Sequence, residues 1–385
     1  MSTKETSNPT LTFKGTSGFE GQQVLEGQQC RHLPFNFGTY SRPGNDPMKN
    51  RIENQDCFVV EDKWGGHRNQ FLACVFDGHG PNGQLVSTFC RDVWPTIALT
   101  EMTQQQGKLS EVAKVNQDEK YLKNVFKLAC AKTSASLGNS PIDTYVSGTT
   151  FTGFVCTERK CWTINVGDSR VVACTKNGAV YKAVDQTVDQ NPNRPDEQAR
   201  IIATGGRVFD WGVPRVWLAK VDMPGLAMSR SFGDEAAESV GVFSEPEIRS
   251  FEMDSNTAFV IVATDGVWEF ISSQEAVDLV ASFHANGQSP QEACTALVNE
   301  SLKLWNEEED VVDSITAIVV FNMNFGNELS LGINISKVEV GEKVVVENGD
   351  VGVDKVVSGE DPSVAGKAMQ EEVNESGGAA AFPDK

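Results

Sequence analysis

At 385 residues the chain is long enough to bury one large core or two small ones. Its formal charge of -20 at pH 7 excludes nucleic acid and anionic membranes as partners, because both are bound through basic patches. No apolar stretch reaches membrane-spanning length and the opening MSTKETSNPT lacks a signal-peptide core, so a soluble protein of the cytoplasm or nucleus is expected.

Residues 1–30 are rich in Gly, Gln, Ser and Thr without apolar periodicity and read as a mobile arm, followed by one folded domain over 31–322. DCFVVED and NQFLACVFD predict a hairpin. Helical periodicity covers 84–104 and 119–137. The segment SGTTFTGFVCTERKCWTINVGDSRVVACTKNGAVYKAV holds four β-type runs joined by TERK, GDS and KNG, the pattern of an antiparallel meander. A helix is predicted over 195–204, and two amphipathic ones over 273–285 and 290–305, separated by NGQSP. Strands in groups with helices set apart predict an α+β fold, with enough strands for two antiparallel sheets packed as a β-sandwich and flanked by α-helices. Residues 321–385 hold twelve acidic against five basic residues and no Trp or Tyr, so 323–385 reads as a solvated acidic tail. Within it, Asn348-Gly349 between Val-rich runs could close a small hairpin. The nine cysteines are odd in number and lack C-x-x-C spacing, which predicts small buried hydrophobes rather than disulfides or a zinc site. Without a heptad or internal repeat, a monomer is the expectation.

Three apolar strands end on an acid: FLACVFD at Asp77, CWTINVGD at Asp168 and AFVIVATDG at Asp265. Two others open on one, DCFVVED at Asp56 and DSITAIVVF at Asp313. In a sandwich such ends can converge on one edge, where carboxylates repel unless a cation compensates them. An all-oxygen donor set selects hard Mg²⁺ or Mn²⁺ over zinc. Taken singly, Asp77-Gly78 and Asp265-Gly266 read as turns, GDS as a hairpin loop and His79 as a surface histidine. The ensemble at strand termini carries the functional inference.

The motifs DGHG, SGTT, NVGDSR, GLAMSRSFGD, ATDGVWE and DSITAIVV, in that order, resemble the metal-dependent Ser/Thr protein phosphatases of type 2C, over residues 38–322. The RVWLAKVDMPGLAMSRSFGD wording is most similar to plant and protist branches. The resemblance implies hydrolysis of phosphoserine and phosphothreonine in phosphoprotein partners by a hydroxide bridging two Mg²⁺ or Mn²⁺ ions. It implies that Asp77 bridges the ions, that the Gly78 carbonyl contacts one, and that Asp265 and Asp313 complete the other. Asp56 would hold a metal-bound water, and Asp168 would line a third, weaker metal position. Arg51 matches the phosphate-binding arginine and His79 the general acid. One departure is Gln55, which stands where the family often has a glutamate contacting the second metal; the neutral amide puts that ion's affinity in question. The segment NPNRPDEQARIIATGGRVFDWGVPRVWLAK falls at the family's variable flap. Trp211 and Trp217 there read by default as core residues, although Trp211 resembles in position a tryptophan that receives regulatory partners in one plant branch. A non-catalytic relative would lack the bridging acids present here, whereas small phosphate esters remain an alternative substrate class.

Overall fold

Two antiparallel sheets packed face to face fill the centre of the structure, a computed structural model that describes residues 35–67, 69–106, 119–157 and 160–323. These belong to a compact unit, Met1–Gly332. The 1–30 arm, the 323–385 tail beyond Met323 and the hairpin expected around Asn348-Gly349 lie outside the described residues. The first sheet runs β1 (Phe35–Arg42), β15 (Ile315–Asn322), β14 (Thr257–Ala263), β7 (Arg170–Asn177), β8 (Val180–Asp185). The second runs β12 (Phe232–Gly233), β4 (Gly148–Thr149), β3 (Gln70–His79), β5 (Phe151–Thr157), β6 (Lys160–Val166), β13 (Glu247–Glu252), with β2 (Asp56–Glu61) on the other side of β3.

The inner strands β3, β5, β6, β14 and β15 read as unbroken apolar runs because both of their faces are covered. Phe71, Ala73 and Val75 of β3 meet Val260 and Val262 of β14 and Ile318 and Val320 of β15 between the sheets. The alternate residues Leu72, Cys74 and Phe76 pack outward against α1 (Gly83–Gln106) and α2 (Glu119–Gly138) through Val86, Cys90, Trp94, Leu122 and Phe126. On the other side Phe259, Ile261, Ala317 and Val319 meet α6 (Ser273–Ala285) and α7 (Pro290–Glu308) through Val277, Val280, Cys294 and Leu297. Capping boxes Ser272/Glu275 and Ser289/Glu292 start these two helices, each cap contributing about 1 kcal/mol. The result is the expected α+β sandwich. Every described cysteine is buried with a free thiol, as expected of small apolar residues; Cys30 lies outside the described residues.

Three expectations about turns need correction. The meander breaks at GDS: β5 and β6 pair, and β7 and β8 pair, but β6 and β7 lie in different sheets, so residues 167–169 cross the sandwich instead of closing a hairpin. Strands apolar on both faces carry no alternation that could have separated the two geometries. Gly167, at φ +108, allows the crossing, where a Cβ would stand 2.7 Å from the Thr150 side chain. Asp77-Gly78 is likewise no turn, since β3 continues through His79, paired with Gly148 and Thr149. Asp265-Gly266 opens the short helix α5 (Asp265–Trp268).

A separate sheet of β9 (Arg207–Trp211), β10 (Val213–Trp217) and β11 (Pro224–Leu226) forms the flap. It packs through Val216 and Leu226 on Ile201 of α3 (Pro195–Ala203) and on Ala237 of α4 (Glu235–Glu238). Trp217 is buried and stacks on Phe209 at 4.9 Å, whereas Trp211, at 68% exposure, is not the core residue expected by default. Among the described residues no helix is long and apolar enough to cross a membrane.

Candidate active site

The parity that turns Phe71, Ala73 and Val75 toward the opposite sheet places Asp77 next in that row, where the inter-sheet core runs out. Asp56 stands directly across from it in the β2/β3 register. The main chain around both is fixed. The Asp77 N–H donates to Thr150 Oγ1 at 3.1 Å, the Thr150 N–H to the Asp77 carbonyl at 2.9 Å, and the Gly78 N–H to the Gln55 carbonyl at 3.2 Å. A Cβ on Gly78 would lie 2.4 Å from the Gly83 carbonyl oxygen and 2.6 Å from that of Gln55, so only glycine fits between β2 and α1.

Asp77, Gly78, His79, Asp168, Asp265, Asp313 and Gln55 all line one cavity of about 890 Å³, closed on one side by Val213, Arg215 and Leu226 of the flap. Asp56 sits behind that lining, buried, its Oδ2 accepting from the Thr264 hydroxyl at 2.8 Å. Gln55 uses its amide nitrogen on the Gly80 carbonyl at 2.7 Å. Arg51 is exposed and bridges Asn45 on the 43–55 loop, outside the lining of the cavity.

Burial and mutual repulsion push these carboxyl groups upward. Burial, then Asp265 and Asp56, hold Asp77 well above the ordinary range; burial, then Asp313 and Asp168, do the same to Asp265. Burial with Asp313 beside it lifts Asp56 to about 7, burial with Asp189 lifts Asp168 to about 6, and burial raises Asp313. Oδ1 of Asp56, Asp168 and Asp265 is buried and accepts no hydrogen bond among the described residues. Unpartnered hard oxygens that repel one another are a donor set that a small divalent cation satisfies. A tighter acidic trio exists elsewhere: Asp196, Glu197 and Glu247 bring ligand atoms within 4.8 Å of one another. Arg194, Arg200 and Arg230 already compensate that trio, which serves to anchor α3.

Sequence reasoning missed three side chains here. Asp234, buried, lies with Oδ2 2.7 Å from Nε2 of His79. Burial alone would lower His79, but the Asp234 carboxylate more than reverses this and holds the imidazole above its ordinary value. Arg170 makes a two-pronged pair with Asp189, both on the cavity wall. Asp234 ends the GLAMSRSFGD motif and Arg170 the NVGDSR motif, so both were within reach; Asp189 carries no local signal.

A family model described as protein phosphatase 2C matches residues 44–309. "Probable protein phosphatase 2C 35" of Arabidopsis thaliana is 33% identical over 341 residues, covering 80% of this chain and 93% of its own length. "Probable protein phosphatase 2C 34" of the same plant is 37% identical over 278 residues, covering 70% and 76% respectively. In fold, the chain is similar to a serine-threonine phosphatase 2C from Toxoplasma gondii, with TM-score 0.67 and 21% identity over 78% of this chain and 98% of that one.

Proposed function

This chain belongs to the protein phosphatase 2C family, a family of hydrolases that act as Ser/Thr protein phosphatases, and on that premise we propose how its own residues perform the reaction. The observation that carries the proposal is the convergence of Asp77, Asp265 and Asp313, raised by burial and, for Asp77 and Asp265, by neighbouring carboxylates, on one cavity beside His79. Asp77, the Gly78 carbonyl, Asp265 and Asp313 would hold two Mg²⁺ or Mn²⁺ ions, with a weaker third position at Asp168. Those ions, when bound, supply an acidified water as nucleophile and draw charge from the phosphoryl oxygens. Asp56, one layer deeper, orients the polar contents of the site while its Oδ2 stays tied to Thr264. Gln55 borders the second position with a neutral amide.

His79 acts as general acid. As the P–O bond to the serine or threonine side chain breaks, the electron pair goes to that oxygen and the imidazolium proton follows it. For so basic a leaving group a positioned acid contributes about 10²–10⁴-fold. Arg51, carried on a loop rather than a strand, would close on phosphoryl oxygens when substrate arrives. Phosphoproteins are the substrates, and the exposed Trp211 on the flap is the contact offered to a regulatory protein partner.

The purified protein, assayed with a phosphothreonine peptide and with a nucleoside monophosphate in Mn²⁺ and in chelator, tests this. Turnover of the peptide that chelator abolishes is expected. Turnover of the nucleotide alone would replace the protein substrate with a small phosphate ester, and peptide turnover indifferent to chelator would overturn the metal assignment.

A further inference from the structure

Asp234 stands apart from the acids at the strand ends. It follows β12 in the run SRSFGD, its side chain is 1% exposed, and its backbone is left-handed at φ 55, ψ 46, a conformation that costs a non-glycine residue about 1 kcal/mol or more. Its N–H donates to the Ser147 carbonyl at 2.9 Å. Oδ2 accepts the Ser231 hydroxyl at 2.5 Å and lies 2.7 Å from His79 Nε2. With Oδ2 accepting, Nε2 is the nitrogen that carries hydrogen. Nδ1 of His79 is buried with no hydrogen-bond partner among the described residues, which leaves Asp234 as the polar anchor of the ring.

One motif glycine is accounted for by this carboxylate, and its strand partner by the backbone beside it. A Cβ on Gly148, in SGTT, would stand 2.1 Å from Asp234 Oδ2 and 2.7 Å from the Phe232 carbonyl oxygen. A Cβ on Gly233, at φ +85, would stand 2.5 Å from the Ser147 carbonyl oxygen. The β4/β12 pairing of Gly148 with Gly233 is therefore the slot through which Asp234 reaches His79. A surface acid or a simple helix cap needs no such clearance.

We propose that Asp234 is the positioning residue of this site: it accepts the Nε2–H of His79 and fixes the tautomer and plane of the ring, so that Nδ1 of the imidazolium is the nitrogen that gives its proton to the leaving group. The proposal rests on the reading of His79 as general acid, and the two are tested separately. His79→Gln should slow a phosphothreonine peptide about 10²-fold or more and p-nitrophenyl phosphate, whose leaving group needs little protonation, much less. Asp234→Ala should show the same selectivity with a loss of about 10-fold or more, Asp234→Asn should recover part of it, and Asp234→Ala added to His79→Gln should cost nothing further. Gly148→Ala, which removes no functional group, should reproduce the pattern. Equal losses on both substrates for His79→Gln would sink the general-acid reading. A selective His79→Gln with an unselective, or fully multiplicative, Asp234→Ala would overturn the positioning role alone.

A readout free of turnover and of any risk that Asp234→Ala misfolds is ¹⁵N NMR of the imidazoles in the chelated wild-type protein. The chain has only 4 histidines, and His79→Gln identifies the signal. An Nε2–H tautomer protected from exchange, and less protected in Asp234→Asn, is expected; an Nδ1–H tautomer overturns the proposal.

Discussion

Asp56→Asn should stabilise the chelated protein at alkaline pH, although it removes a charged group from the active site. The Asp56 carboxyl is lifted from the ordinary 3.8 to about 7, first by burial and then by Asp313. A group raised in this way contributes stability that is fully present below its unfolded value and is lost as pH rises through the folded one, here between about pH 4 and 7. A rise of about three pH units corresponds to about 4 kcal/mol at 1.36 kcal/mol per unit, an upper bound that local relaxation reduces to about 2 kcal/mol. Asparagine keeps an oxygen for the Thr264 hydroxyl, so the contact that holds the side chain survives. Urea unfolding in chelator should give a difference between variant and wild type that grows by about 1–2 kcal/mol from pH 5 to pH 8. Asp168, lifted to about 6, acts in the same direction in both proteins and cancels from that difference. Adding Mn²⁺ should reverse the order by stabilising wild type more than the variant. A wild-type stability that stays level or rises from pH 5 to pH 8 in chelator, or a difference that does not grow, would refute the picture of carboxylates held against their own repulsion.

Asp77→Asn, Asp265→Asn and Asp313→Asn should each lower turnover by about 10³-fold or more at any Mn²⁺ concentration while leaving the urea midpoint in chelator unchanged or higher; near-normal rates for Asp77→Asn at saturating Mn²⁺ would remove it from the metal shell. Gln55→Glu should destabilise the chelated protein by about 0.5–1 kcal/mol, since it replaces the donor to the Gly80 carbonyl with a second acceptor, and should lower the Mn²⁺ concentration giving half-maximal rate; superimposable activation curves would place residue 55 outside that shell.

The strands and long helices were legible because their signals are local and strong. The helix expected at 273–285 has those bounds in the structure, and the hairpin of β2 and β3 pairs as the sequence implies. What failed was the pairing of β6 with β7. A strand buried on both faces reads the same in a meander as in a crossing between sheets, and Gly167, the local signal between them, has a positive φ that suits either. Trp211 failed for the opposite reason. Hydrophobicity predicts burial, but cover runs out toward the end of β9, where Phe209, Asp210 and Trp211 are all exposed, whereas Trp217 ends β10 in a buried position.

At the site, the acids at or just beyond strand ends were legible because the limit of an apolar run locates a side chain near the edge of a sheet without knowledge of the partner strand. Asp189 and Thr264 were not, because their roles exist only through residues distant in sequence, Arg170 across the cavity wall and Asp56 across the sandwich. The same division explains the energetics. Each acid alone could relax toward water, but Asp77 and Asp56 are cross-strand neighbours in a register set by the core, and Asp313 leads into β15, which is buried along its length. Relief by movement would require slipping a strand and turning its whole apolar face outward. The packing of Phe71, Val262 and Ile318 therefore does more than support the site: it prevents the carboxylates from separating, and so leaves protonation or a bound cation as the ways to lower their energy.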